Sequence, residues 1–206
     1  MRRQRSSFDQ RKSGDLVSPD IALRAGDALL IIDVQNDFCP GGALPVADGN
    51  AVVPILNIWL ATAREQGVPV YASRDWHPAG HLSFAERGGD WPVHCLQDTP
   101  GAAFHPDLDL PKNVVKVTKG TRFDKDQYSA FDDTGLSERL RDDGVTRLWV
   151  GGLALDVCVD ATVRDGCAAG FEIHVVQDAT RPITREGGEA ALNRMREAGA
   201  LVTSTI

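Results

Sequence analysis

The chain has no cysteine spacing of the disulfide or zinc-ribbon kind, no apolar run of membrane length and no surplus of positive charge. Each absence removes a class of protein. Cys39, Cys95, Cys158 and Cys167 stand too far apart and too irregularly for a disulfide framework, so free thiols in a reducing cytoplasm are expected. No run approaches the length that spans a bilayer, and no secretory apolar segment follows the N-terminus. The first fifteen residues hold Arg2, Arg3, Arg5, Arg11 and Lys12 against Asp9 and Asp15, a net of +3, so the rest carries −10 of the formal −7 total. An acidic body of that kind excludes a nucleic-acid surface. There is no internal repeat and no low-complexity tract. Residues 1–26, polar and charged, read as an extension outside the core, and 27–206 as a single domain.

What is present is an alternation. Ala28–Ile32 is a continuous apolar run, the mark of a strand buried on both faces. Asp48–Gln66 follows helical spacing through Val52, Ile55, Leu56, Trp59 and Ala63, with Pro54 tolerable only in the first turn. Further strands are expected at Val68–Ala72, Val114–Val117, Leu148–Val150, Phe171–Val176 and Leu201–Thr205. Helices are expected at Thr134–Asp143, Val157–Ala169 and Thr184–Ala198. Strands alternating with helices imply βαβ units, a parallel sheet and helices on both faces. Ligands of such sheets bind beyond the carboxyl ends of the strands. Asp33, Asp75, Lys119 and the turn around Cys158 all fall at such ends.

Those residues have a shared chemistry. Gly151-Gly152 reads as the end of a strand, Asp156 as an N-cap, and Cys158 as a residue of the first helical turn. There, free backbone N–H groups favour a thiolate. Asp33 offers a base and Lys119 a cation that would position both. The long, pattern-poor stretch from Asp75 to Pro111 carries Asp75, His77, His81 and His94, a donor set suited to Zn²⁺, Fe²⁺ or Mn²⁺ with an open position. His105 and His174 are assigned to ordinary backbone pairing, and Cys95 is left out of the metal set.

The stretches Asp33-Val34-Gln35-Asn36-Asp37-Phe38-Cys39-Pro40-Gly41-Gly42, Asp75-Trp76-His77-Pro78 to Phe84, Trp91-Pro92-Val93-His94-Cys95, Lys119-Gly120 and Gly151 to Val159 resemble, in order and content, the nicotinamidase/pyrazinamidase branch of the isochorismatase-like cysteine hydrolases. The match runs from about Ala28 to the C-terminus.

The resemblance implies a Rossmann-like three-layer α/β sandwich whose mostly parallel six-stranded sheet has the order 3-2-1-4-5-6. It implies hydrolysis of nicotinamide, and of pyrazinamide, to the acid and ammonia through a cysteine thioester, in NAD salvage. Asp33, Lys119 and Cys158 match the family triad. Asp75, His77 and His94 match the usual ligands of one divalent metal, zinc before iron or manganese, and His81 a position that some members recruit. A cis peptide before Ala154 would turn the amides of Ala154 and Cys158 toward an oxyanion. Phe38, Trp91 and Tyr128 would form an aromatic slot for a small aromatic amide. Leu155 stands where many members carry a small polar residue such as Thr, which would reshape the pocket wall. Three alternatives remain open: a relative acting on another small amide or a vinyl ether, a non-catalytic binding protein on the same fold, and a metallohydrolase with Cys158 structural. Homo-oligomerisation is left open as well.

Overall fold

The computed structural model describes residues 23–205. Most of the expected extension therefore lies outside the described residues. Of its last four residues, Leu23 is buried in the core.

Six strands form one sheet in the order β3-β2-β1-β4-β5-β6, with every pairing parallel. They are β1 (Asp27–Ile32), β2 (Val70–Asp75), β3 (Val115–Lys119), β4 (Arg147–Leu153), β5 (Glu172–Arg181) and β6 (Leu201–Thr203). The helices are α1 (Val52–Gln66), α2 (Leu136–Asp142), α3 (Asp160–Ala168) and α4 (Arg185–Glu197). All six residues of β1 are buried, as its unbroken apolar run requires. Their alternation divides two cores. Leu29 and Ile31 face Val52, Leu56, Trp59, Leu60 and Ala63 of α1. Ala28, Leu30 and Ile32 face Leu136 and Leu140 of α2, Val163 of α3, and Leu192 and Met195 of α4. Pro54 sits in the first turn of α1, where its missing N–H costs nothing.

The strands run further toward the site than their apolar cores suggest. β2 continues through Asp75, β3 through Lys119 and β5 through Arg181. Gly151-Gly152 does not end β4, which runs on to Leu153. Gly152 is instead a place of close approach. Its φ is +132°, and a Cβ there would lie 2.1 Å from the Ile32 carbonyl oxygen. The strand order reverses between β1 and β4, the neighbours at the centre of the sheet. The crevice beyond their carboxyl ends is where an open α/β sheet binds its ligand.

Candidate active site

Four adjacent strands deliver the polar residues. Asp33 follows β1 with φ +46°, a left-handed conformation uncommon for a residue other than glycine. Asp75 ends β2 and Lys119 ends β3, and the two are direct partners in the parallel register. Cys158 lies beyond β4, in a wide π-helical turn, Leu155–Val159, that leads into α3.

These side chains meet. Lys119 Nζ lies 2.8 Å from Asp33 Oδ2, 2.6 Å from Asp75 Oδ1 and 3.4 Å from Cys158 Sγ. Ser73 Oγ donates to Asp33 Oδ1 at 2.7 Å. Ser73 and Asp75 are two residues apart and so share one face of β2. Gln35 locks the neighbouring loop to β2: its Oε1 accepts from the Asp75 N–H and its Nε2 donates to the Asp75 carbonyl, both at 2.8 Å. Neither Ser73 nor Gln35 was singled out by sequence. Strand alternation points to the first, and the opening motif contains the second.

Burial sets the charges. It raises the Asp33 carboxyl above its ordinary range, against the pull of Lys119. Burial also works against the Asp75 anion, but the Lys119 ammonium holds that carboxyl below the usual value. Burial works against the Lys119 charge too, yet the two carboxylates raise its pKa well above normal. The Cys158 thiol is pushed up, first by burial and then by Asp33 and Asp75, although Lys119 opposes this. This runs against the expectation that helix-terminal donors favour a thiolate. The helix-terminal field is outweighed by desolvation and two neighbouring carboxyl groups, which hold the sulfur toward its thiol form.

Asp156 is not the N-cap of its own helix either. Its Oδ1 accepts from Ile183 N at 2.8 Å and its Oδ2 from Thr184 N at 3.3 Å. The turn begins after Ala154, whose backbone is extended and whose peptide bond with Leu153 is cis. The Ala154 carbonyl accepts from the amides of Val157 and Val159, at 3.1 Å each, and passes over that of Cys158.

The second cluster is the histidine one. Donor atoms of Asp75, His77 and His94 all lie within 4.8 Å of one another, and so do those of His77, His81 and Asp126. His77 Nδ1 is 2.8 Å from the Gly120 carbonyl oxygen and His94 Nδ1 is 2.8 Å from that of Pro92. Each Nδ1–H therefore donates to a carbonyl, which leaves Nε2 with a free lone pair, the arrangement of a metal-binding imidazole. His81 Nδ1 is 2.8 Å from Ser83 Oγ, and its buried Nε2 has no hydrogen-bond partner. Burial lowers the His77 pKa to about 4, which keeps the ring neutral at pH 7. Phe84, fully buried and overlooked in the sequence, packs edge-on against all three imidazoles at 5.5 to 5.9 Å. Gly120 leaves room for the cluster, since a Cβ there would sit 2.5 Å from His77 Cε1. The residues present fit a divalent cation: three imidazoles held from behind, and a carboxylate.

A pocket of about 80 Å³ joins the clusters. Its lining includes Asp75, His77 and His94 together with Ala154, Val157 and Cys158. Phe38, Trp91 and Tyr128 line it, with Trp91 Nε1 donating to the Tyr128 hydroxyl at 3.1 Å. Leu155 does not. It is buried in the core between the sheet and α2, α3 and α4, and it faces a separate cleft, because the π turn rotates it away from Val157 and Cys158. Asp126 and Ile183 line the pocket and were missed. Both come from loops without periodic pattern. His105 stays outside the pocket, where its Nδ1 accepts from the Asp107 N–H, and His174 pairs with the Glu172 carboxylate and not with a carbonyl.

Residues 27–206 match the model of the isochorismatase domain. The chain belongs to the isochorismatase family. Within it the chain is 38% identical over 196 residues to the nicotinamidase of Escherichia coli (strain K12), covering 84% of this chain and 92% of that one. It is 38% identical over 179 residues to the nicotinamidase/pyrazinamidase of Mycobacterium tuberculosis, covering 83% and 95%. The structure of the pyrazinamidase of Pyrococcus horikoshii in complex with zinc superposes with a TM-score of 0.84 at 44% identity, covering 87% of this chain and 99% of that one. The family branch is therefore the nicotinamidase one.

Proposed function

We propose that this protein hydrolyses nicotinamide, and the related pyrazinamide, to the carboxylic acid and ammonia through a thioester on Cys158. The observation that carries this is the contact of one buried ammonium, Lys119 Nζ, with both Asp33 and Cys158, the second of which lines a pocket together with His77 and His94. The relatives' activities support the substrate class.

The resting thiol needs a base, and Asp33 is held for that task by Ser73 and Lys119. Asp33 takes the proton, Sγ attacks the carboxamide carbon, and the π bond becomes an oxyanion. The amides of Ala154 and Cys158 face that charge, the second being free of the Ala154 carbonyl. The tetrahedral centre collapses, the C–N bond breaks, and Asp33 returns its proton to the departing nitrogen. The same carboxylate then takes a proton from water, which cleaves the thioester. Phe38, Trp91 and Tyr128 hold the flat ring. Asp75, His77 and His94, with His81 through Nε2, would hold a divalent cation, zinc by the softness of imidazole, which when bound supplies a Lewis-acid anchor for the pyridine nitrogen. The free cysteines suit the cytoplasm as the place of work.

The test is ammonia release from nicotinamide by the purified protein, before and after iodoacetamide, and with Cys158→Ala. Turnover is expected to stop in both treatments, while Cys167→Ala, further along the helix, stays near wild type. Activity that survives alkylation of Cys158 would transfer the chemistry to the histidine cluster.

A further inference from the structure

The turn that carries Cys158 also holds the opposite rim of the pocket. Asp156 sends its carboxylate across to the β5–α4 connection, where the amides of Ile183 and Thr184 donate to it. It lies at the N-terminus of α4, where the first-turn donors lack partners and the dipole favours an anion. Gly187 makes room, since a Cβ there would stand 2.3 Å from Asp156 Oδ2. The helix already has a cap of its own, because Thr184 Oγ1 accepts from Gly187 N at 3.0 Å. Asp156 is thus a second anion at this terminus, and the amide it holds at the shorter distance is that of Ile183.

Ile183 is 42% exposed and lines two cavities. On one side is the pocket with Cys158. On the other is a cleft of about 620 Å³, lined also by Leu155, Arg181, Pro182 and Leu192. The side chain is therefore a thin partition, with little packed behind it to stop it moving back. Its position is fixed mainly by its own backbone, and so by Asp156.

We propose that Asp156 is a positioning residue that sets the width of the substrate pocket by holding Ile183 as its outer wall. A single flat ring fits under that wall, and larger fused-ring amides are excluded by it. With the carboxylate gone, the connection at 182–184 relaxes toward the cleft and the exclusion is lost. The substrate side of this inference rests on the nicotinamidase reading. The geometric side does not, and it can be read from access to the Cys158 thiol alone.

The experiment compares labelling of Cys158 by iodoacetamide and by the bulkier N-benzylmaleimide, resolved by peptide mass spectrometry. In parallel it compares kcat/KM for quinoline-3-carboxamide and nicotinamide. Ile183→Ala alters a half-exposed side chain and should fold. It and Asp156→Ala should each raise the bulky-to-small ratio roughly tenfold in both assays, the scale on which an apolar wall discriminates. Thr184→Ala removes the other cap of the same helix and should lower thermal stability with both ratios unchanged. Should Asp156→Ala fail to fold, Gly187→Ala displaces the carboxylate sterically and should give the same ratios. The proposal is overturned if Ile183→Ala raises the ratios and Asp156→Ala does not, if neither does, or if Thr184→Ala shifts them as much as Asp156→Ala. Changed labelling ratios in a protein that releases no ammonia from nicotinamide would support the partition and remove only the substrate assignment.

Discussion

Replacing Asp33 by Asn should separate two behaviours of Cys158 that are usually lost together. The amide has nearly the shape of the carboxylate but cannot accept a proton. It can also be accommodated. The Ser73 hydroxyl now donates at 2.7 Å to one oxygen, and Lys119 lies 2.8 Å from the other. If the Asn oxygen turns to Lys119, the Ser73 hydroxyl rotates and accepts from the amide nitrogen. The fold should persist, with a loss of about 1–3 kcal/mol for a weakened bond to a buried cation. Amide hydrolysis should fall by roughly 10²–10⁴-fold, the worth of a positioned acid–base group. Alkylation should behave differently. Under the proposed mechanism the wild-type proton passes from sulfur to Asp33 without leaving the site, so the thiolate fraction is expected to be independent of pH between the two macroscopic pKa values of the pair. In Asp33→Asn the proton must go to solvent, and thiolate rises about tenfold per pH unit. The variant also loses the anion that helps hold the thiol pKa up. Iodoacetamide labelling of Cys158 from about pH 6 to about pH 8.5 should therefore be nearly flat in the wild type and steep in the variant, with the variant the faster labelled at the alkaline end. Parallel profiles in the two proteins would refute the shared-proton account. A Cys158 thioester formed in Asp33→Asn at the wild-type rate would take Asp33 out of the attack.

Two further outcomes follow from other parts of the molecule. His77→Ala should lower bound zinc, measured by elemental analysis, and raise KM for nicotinamide more than it lowers kcat; a collapse of kcat at constant KM would point instead to a metal-activated water. Asp27 is buried, which raises its pKa, but two hydrogen bonds from Arg147 at 2.7 Å bring it below the ordinary 3.8. Asp27→Ala should cost about 3–5 kcal/mol by stranding the guanidinium. Because the folded pKa is the lower one, that contribution is complete above the unfolded value near 3.8 and is lost as pH falls through the folded value, so urea midpoints of the two proteins should converge in acid.

What could be read from the chain depended on range. β1 was legible because an unbroken apolar run buried on both faces leaves few other readings, and the sheet order followed from the family motifs. Asp33, Asp75 and Lys119 were found because each stands where an apolar pattern gives way to charge. The state of Cys158 was misread because helix-terminal donors are local, whereas the burial and the two anions that raise its pKa come from other strands. Leu155 was put on the pocket wall by the family resemblance alone. The π turn that opens at Leu155 sends that side chain into the core while Val157 and Cys158 line the pocket, a local winding that a match of motifs does not register. Ile183 and Asp126 carry no signal of their own, since only the folding of two loops onto the pocket gives them a role.

The two halves of the site are one electrostatic unit because of sheet register. Asp75 and Lys119 are paired residues of β2 and β3, and Asp33 follows the neighbouring β1 at the same end. A slip of one residue in β3 would send Lys119 to the opposite face and leave two carboxylates buried without a cation. In register, one ammonium is divided between the Asp33 carboxyl and that of Asp75 in the histidine cluster, at 2.8 and 2.6 Å. With both carboxyls ionised, two anions and one cation leave a net negative charge in a fully buried place, beside three imidazoles whose Nδ1 atoms are already engaged. A divalent cation on Asp75 and those imidazoles would relieve that charge, and would at the same time release part of Lys119's attraction from Asp75 toward Asp33 and the developing thiolate. Cation binding and thiol ionisation would then be coupled through one side chain, Lys119, which touches Asp75, Asp33 and Cys158 at once.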